Sequence, residues 1–197
     1  MKKTIGTLIA GMSLFAVLPL AAQAADTDTQ KDTTAEINLT QDETAKEITL
    51  EKAPTINLGE HVNDLASQDY TAEEVTDLVE VKNPGNISGW HVGVSATAFQ
   101  TSGSTGTLRG AALTFKKGTV AAADNNNASK APTAKEVTIN TESQPILSAD
   151  ENEGIGVYDM SHTTDQVSLL VPAGNSAGAY KSTLTWTLSN APSGIES

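Results

Sequence analysis

Hydrophobic and polar residues alternate in short runs along most of the chain after residue 34. The clearest run lies near the C-terminus, where Leu184, Trp186 and Leu188 share one parity and threonines occupy the other. A period of two predicts a β-strand with one buried face. We therefore expect Trp186 to lie in or half in the core with the two leucines, and the threonines to face solvent.

The same alternation, interrupted by turn signals, predicts further strands and no helix of sustained periodicity. The predicted strands cover residues 35–40, 46–51, 54–59, 77–81, 88–99, 108–115, 137–140, 145–147, 154–159, 167–172 and 180–188. The first two are expected to be joined by a turn. Residues 118–136 contain few large apolar side chains and predict a long surface loop. The predicted fold class is all-β, a β-sandwich or barrel-like single domain with long surface loops.

The N-terminus carries the pattern of an export signal. Lys2 and Lys3 precede an apolar run over residues 5–20, and an Ala-Gln-Ala triplet ends at Ala24. This pattern predicts a cleaved signal peptide over residues 1–24, because the apolar run is shorter than the roughly 20 residues of a membrane-spanning helix. We expect a flexible linker over residues 25–34, then the domain over residues 35–197. With no LPxTG-like sorting motif in the sequence, we expect secretion without a covalent or transmembrane tether.

Charge and cysteine content exclude several functions. The chain has 24 acidic and 12 basic residues and a formal charge of −12. Residues 1–24 contain two lysines and no acid, so the remainder carries −14. Such a domain repels polyanions, which argues against nucleic acid and anionic lipid as partners and against bulk attraction to teichoic acids. The absence of cysteine excludes a disulfide scaffold.

One motif resembles a catalytic element. Residues 174–178, GNSAG, match the G-x-S-x-G pattern of the nucleophile elbow. That element needs a helix after it and a histidine further along the chain, whereas here a strand pattern follows and no histidine comes after Ser176. The stretch predicts a hairpin loop instead. Since no other catalytic set is present, we predict that the protein is not an enzyme and needs no cofactor.

Metal binding has little support in the sequence. Residues 150–154, DENEG, place glycine fifth instead of sixth and so fail the EF-hand pattern. A weak Ca²⁺ site and a solvated acidic loop are both left open for this stretch. His61, His91 and His162 have no paired spacing and no cysteine to share a metal.

Two tryptophan segments, GWHVGV at 89–94 and YKSTLTWTLSNAP at 180–192, carry a family resemblance. Between and before them come TINLGE, LRGAALTF and ILSADENEGIG followed by VSLLVPAGNSAGAY, in the same order as in the family. The chain resembles the WxL domain, a cell-surface module of Gram-positive bacteria named for two Trp-x-Leu motifs. The resemblance covers roughly residues 33–192, as in the small WxL proteins.

The sequence departs from the family pattern in two places. Val92 stands where the first motif has leucine, although both side chains can pack inward. The turn ahead of Trp90 reads KNPGNISG and lacks the acidic residue and arginine that family members usually carry. If those charges contact a partner or the wall, that contact is altered here.

The resemblance implies a function without catalysis. It implies non-covalent attachment to the cell wall through peptidoglycan, beside larger WxL proteins and a membrane-anchored WxL-interacting protein. The alternative is an adhesin or protein-interaction subunit that binds this membrane-anchored protein or host matrix without direct wall binding. The candidate binding residues are those of the motifs, Trp90, Val92, Trp186 and Leu188. Their aliphatic neighbours favour packing in the core, so a structural role is left open for them.

Overall fold

The computed structural model describes residues 31–104 and 106–191. The predicted signal peptide and the first part of the predicted linker lie outside these residues. The chain divides into two compact units, Met1–Leu39 and Thr40–Ser197. Among the described residues, no helix is long and apolar enough to cross a membrane.

The described part of the first unit contains no regular secondary structure. Ile37 and Leu39, the apolar residues of the predicted strand 35–40, are 84% and 85% exposed. That strand was therefore predicted wrongly. Two aliphatic side chains alternate here, but a strand also needs a paired neighbour and a surface that buries its apolar face. The predicted turn is present, since the Ala45 amide donates to the Asp42 carbonyl at 3.1 Å, but it does not join two paired strands.

The second unit is built from short β-strands. They are β1 Thr49–Lys52, β2 Thr55–Asn57, β3 Gln68–Thr71, β4 Glu74–Thr76, β5 Val79–Asn83, β6 Trp90–Ala96, β7 Gln100–Thr101, β8 Ala112–Phe115, β9 Thr119–Ala122, β10 Thr133–Ala134, β11 Val137–Ile139, β12 Gln144–Ala149, β13 Gly156–Ser161, β14 Val167–Val171, β15 Tyr180–Lys181 and β16 Leu184–Ser189. Two short 3₁₀ turns, Ser102–Ser104 and Thr164–Gln166, interrupt them. The predicted all-β class is confirmed.

The strands form three four-stranded antiparallel sheets. Their orders are β1-β5-β13-β9, β10-β12-β6-β16 and β11-β8-β14-β3, and β2-β4 and β15-β7 form two-stranded pairs. Most neighbours in a sheet are far apart along the chain. The fold therefore depends on long-range pairing more than on hairpins.

One hydrophobic core joins the three sheets. Val81 of the first sheet, Val92 of the second and Phe115 of the third are each 0% exposed and belong to the same cluster. Each such side chain stabilises the fold by about 1.5–3 kcal/mol through removal of apolar surface from water. The alternating pattern holds in β6, where Trp90, Val92 and Val94 are all buried.

The predicted loop over residues 118–136 is wrong at both ends. Strand β9 pairs with β13, and β10 pairs with β12. Val120 is half-buried and Ala134 is 3% exposed. Small side chains suffice at these positions because both strands lie at the edge of a sheet. The stretch between β9 and β10 is a loop, as expected.

The predicted strand at 77–81 begins two residues later, at Val79. Asp77 has a φ of 68°, in the left-handed region that interrupts a strand. Its carboxylate accepts a hydrogen bond of 3.1 Å from the Leu78 amide. Aspartate tolerates this conformation through such local bonds, which explains the shift.

Candidate functional site

The two tryptophan segments form adjacent strands of one sheet. Strands β6 and β16 pair antiparallel along their length, with Val92 opposite Leu188 and Val94 opposite Trp186. Strand β16 lies at the edge of this sheet. Two motifs that are distant in the sequence therefore make one structural unit, called the motif pair below.

Trp90 is the first residue of β6 and is buried in the motif pair. Its side chain is 0% exposed, and its Nε1 donates a hydrogen bond of 3.1 Å to the carbonyl oxygen of Gly154. Gly154 has a φ of 63°, and a Cβ there would lie 2.8 Å from Nε1 and 2.6 Å from the Cβ of Ala149. The indole is thus fixed beneath the turn at 150–154, with no room for a side chain between them.

The acidic turn at 150–154 is held mainly by backbone bonds. The Asn152 amide donates to the Ile87 carbonyl at 2.8 Å, and the Gly154 amide donates to the Lys130 carbonyl at 2.9 Å. The Lys130 ammonium also pairs with the Glu153 carboxylate. Over the residues that the structure describes, no three His, Asp or Glu side chains group as metal ligands.

Trp186 links two sheets. It is half-buried, and its ring meets Phe115 of β8 edge to face, with 5.8 Å between centroids and 87° between planes. Such a contact is worth about 0.5–1.5 kcal/mol beyond the buried area. Its Nε1 is buried and has no hydrogen-bond partner among the described residues. Trp90 and Trp186 therefore differ, because only the first indole N–H is paired.

The outer face of the motif pair carries hydroxyl groups. Thr183, Thr185 and Thr187 are exposed, which confirms the face predicted for them, and Ser95 lies opposite Thr185. Leu188 is half-buried on the other face. Of the four motif residues, Trp90 and Val92 are thus closed to solvent, while Trp186 and Leu188 are partly open.

The turn ahead of Trp90 is built from asparagine. Asn83 is 1% exposed, and its Oδ1 accepts hydrogen bonds from the Gly85 and Asn86 amides at 3.1 and 2.7 Å. Its Nδ2 donates to the Asn86 carbonyl at 2.9 Å. The turn is thereby closed without the acidic residue and arginine that the family resemblance led us to look for.

Residues 174–178 lie in a loop, as predicted, but not in a hairpin. The strands on either side pair with different neighbours, β14 with β3 and β8, and β15 with β7. Asn175 fixes the loop: its Nδ2 donates to the Pro172 and Arg109 carbonyls, and its Oδ1 accepts from the Arg109 amide at 2.8 Å. The glycines and serine here thus belong to a loop closed by an amide side chain.

The three histidines lie on separate elements: His61 after β2, His91 in β6 and His162 after β13. His162 is 8% exposed, and its Nε2 lies 3.1 Å from the Lys116 carbonyl. Burial lowers the pKa of this imidazole, because the charged form loses its hydration. Its ring meets Phe115 edge to face.

A cleft that the sequence pattern did not predict lies near β3, β14 and β15. Tyr70, Phe99 and Tyr180, each half-buried, line it together with His61. We call this the aromatic cleft. These residues come from four separate segments, so no local motif marks them. The signal that could have drawn attention to them is composition, since aromatics are only 4% of the chain and these three are not on strongly apolar strands.

The comparisons with known proteins identify a family. Residues 19–192 match the WxL family, whose description is WxL domain surface cell wall-binding. Neither curated proteins nor solved structures give a match. The description places the domain at the cell surface and wall and names a binding activity, not a reaction. The match spans most of the chain and includes both strands of the motif pair, so the chain belongs to the WxL family of surface cell wall-binding domains.

Proposed function

We propose that the protein attaches non-covalently to the peptidoglycan of a Gram-positive cell wall. The observation that carries this proposal is the family match over residues 19–192, described as surface cell wall-binding. Attachment needs no catalytic residues. It needs a rigid surface that presents fixed groups to the wall polymer.

The charge of the chain limits the mechanism. A formal charge of −12 repels an anionic wall at long range, so attachment has to come from specific short-range contacts. The motif pair contributes rigidity to the surface. Trp90 and Val92 are closed to solvent and hold the sheet from within, and Trp186 packs against Phe115 from the same inner face.

Retention on purified peptidoglycan tests the proposal. The purified protein is mixed with sacculi from which teichoic acids have been removed, and the bound fraction is measured by sedimentation against protein concentration. We expect saturable binding, with no retention of an unrelated acidic protein of similar size. Linear, unsaturable retention, or none, would contradict the proposal.

A second function, assembly with protein partners, is favoured by two exposed apolar side chains. Val62 and Leu65 are 91% and 93% exposed in the segment between β2 and β3. Contiguous patches of exposed apolar side chains are typical of contact surfaces. The expected partners are larger WxL proteins and a membrane-anchored WxL-interacting protein, with host matrix as a further candidate.

A serine substitution separates the two functions. Leu65→Ser should weaken capture of a purified WxL-interacting protein and leave retention on sacculi unchanged, because Leu65, unlike Val62, does not line the aromatic cleft. Capture that is equal for the variant and the wild type would reject Leu65 as a contact.

A further inference from the structure

The aromatic side chains after residue 30 divide into two groups. Trp90, Phe115 and Tyr158 are at most 1% exposed, and Trp186 packs against the same core. Tyr70, Phe99 and Tyr180 are all partly open to solvent and line the aromatic cleft, and of these Phe99 also packs against the core. Partly open aromatic side chains that converge on one cleft are typical of a ligand site.

The rings of the aromatic cleft are held in position. His61 stacks on Tyr70 with 4.1 Å between ring centroids and 18° between planes, and its Nε2 lies 2.7 Å from the Leu58 carbonyl. The Tyr180 hydroxyl donates a hydrogen bond of 2.9 Å to the Ser176 carbonyl. Rings fixed before binding lose little conformational entropy when a ligand arrives.

A second hollow adjoins the aromatic cleft and contains Arg109. We call it the arginine hollow, and it shares Ser176, Ala177 and Tyr180 with the aromatic cleft. The arginine hollow has a volume of about 510 Å³, and the aromatic cleft has a volume of about 200 Å³. The side-chain Nδ2 of Asn63 donates a hydrogen bond of 3.2 Å to the Asn175 carbonyl, and this bond connects the segment before β3 to the loop before β15. One elongated ligand can therefore contact both.

Arg109 is the only arginine in the sequence, and its side chain is exposed. Its backbone is fixed by Asn175, and its Nη2 donates to the Gly174 carbonyl at 3.3 Å. Among the described residues, the ion pairs within 4.0 Å involve lysines and not this guanidinium. In a chain with twice as many acids as bases, an arginine left without a carboxylate neighbour is available for an anionic ligand.

The two hollows together specify a chemical class. Tyrosine faces stack on the apolar C–H faces of a pyranose ring while their hydroxyl groups and nearby amides bond sugar hydroxyls. A guanidinium binds a carboxylate through two parallel hydrogen bonds. We propose that the aromatic cleft and the arginine hollow form one site for a carboxylate-bearing glycan of the wall, with a sugar ring against Tyr180 and the carboxylate at Arg109. This inference rests on the proposed wall attachment.

The test uses three cleft variants and one matched control in the sacculus sedimentation assay. Tyr180→Ala removes a stacking face, and Arg109→Gln removes the positive charge. Ala177→Trp places a large side chain at an exposed position that lines both hollows, and so blocks them. Thr185→Ala, on the outer face of the motif pair, is the control. We expect each cleft variant to bind about tenfold more weakly, the effect of losing one aromatic or charged contact, and the control to bind like wild type. Thermal unfolding of every variant confirms that it is folded.

Soluble competitors identify the chemistry. A disaccharide–dipeptide fragment of peptidoglycan should release the wild-type protein from sacculi, and poly(glycerol phosphate) at equal charge should not. Release by the phosphate polymer alone would overturn the assignment of a carboxylate glycan.

The remaining outcomes separate the two proposals. If wild type is retained and all three cleft variants are retained equally well, the cleft is not the site, while wall attachment stands. If wild type itself is not retained, wall attachment fails and the ligand class of the cleft fails with it.

Discussion

The indole N–H of Trp90 and the carbonyl oxygen of Gly154 are joined by a buried hydrogen bond of 3.1 Å. This bond connects the first tryptophan segment to the acidic turn at 150–154. A Cβ at Gly154 would lie 2.6 Å from the Cβ of Ala149, so the contact requires glycine by space as well as by its φ of 63°.

Gly154→Ala should destabilise the fold by about 2–5 kcal/mol. Left-handed strain costs roughly 1–2 kcal/mol, and overpacking against the indole costs about 1–3 kcal/mol. Gly174→Ala is the matched control, because Gly174 has a φ of 81° and open space around its Cβ position. It should cost only the strain, about 1–2 kcal/mol. Urea unfolding followed by tryptophan fluorescence measures both, and equal costs would show that Gly154 is not constrained by space.

The two tryptophans should respond differently to phenylalanine. Trp90→Phe removes a paired N–H, leaves the Gly154 carbonyl unpaired and opens a cavity, so we expect a loss of about 2–4 kcal/mol. Trp186→Phe removes an N–H that has no partner among the described residues, so we expect less than about 1.5 kcal/mol. Chemical denaturation of both variants gives the comparison. A larger loss at Trp186 would contradict these assignments.

Restoring the family leucine at position 92 should not help stability. Val92 is 0% exposed and lies between Leu147 of β12 and Leu188 of β16. An added methylene in this packed position is expected to cost about 1–3 kcal/mol. Val92→Leu should therefore lower the urea midpoint and leave retention on sacculi unchanged. A higher midpoint would mean that the core has room there.

Stability should fall as pH decreases through the ordinary range of histidine. Burial lowers the pKa of His162 in the folded state, so the unfolded chain takes up a proton at a higher pH than the folded chain. The stability is complete above about pH 6.5, declines as pH falls below it, and levels off below the folded pKa. His162→Gln should remove this part of the pH dependence between pH 7 and 5. An unchanged slope would show that His162 does not cause it.

The alternation of apolar and polar residues correctly predicted the strands whose apolar side chains pack against the core. Strands β6 and β16 are examples, since parity correctly separated Trp186 from the exposed Thr185 and Thr187. The same pattern failed at Ile37 and Leu39, which are exposed, because periodicity cannot show whether a pairing partner exists. Strand β9 was not predicted because its small side chains favour a loop when taken alone. The segment is a strand because its backbone pairs with β13.

The candidate site was less predictable than the fold for a related reason. Trp90 and Trp186 were found from local motifs, but their pairing in one sheet depends on contacts across more than 90 residues of chain. The aromatic cleft depends entirely on such contacts, because Tyr70, Phe99 and Tyr180 come from different segments. Only the folded arrangement makes them neighbours of Arg109 and its hollow.

The salt dependence of retention on stripped peptidoglycan tests the central claim most directly. Because the chain carries a formal charge of −12, attachment through specific contacts should stay saturable and keep nearly the same affinity as ionic strength rises from about 0.05 to 0.5 M. Added salt screens the long-range repulsion between the acidic chain and the wall, and this gain offsets the weaker attraction between Arg109 and the carboxylate. Binding that appears only at low salt, or that vanishes once teichoic acids are removed, would contradict attachment to peptidoglycan.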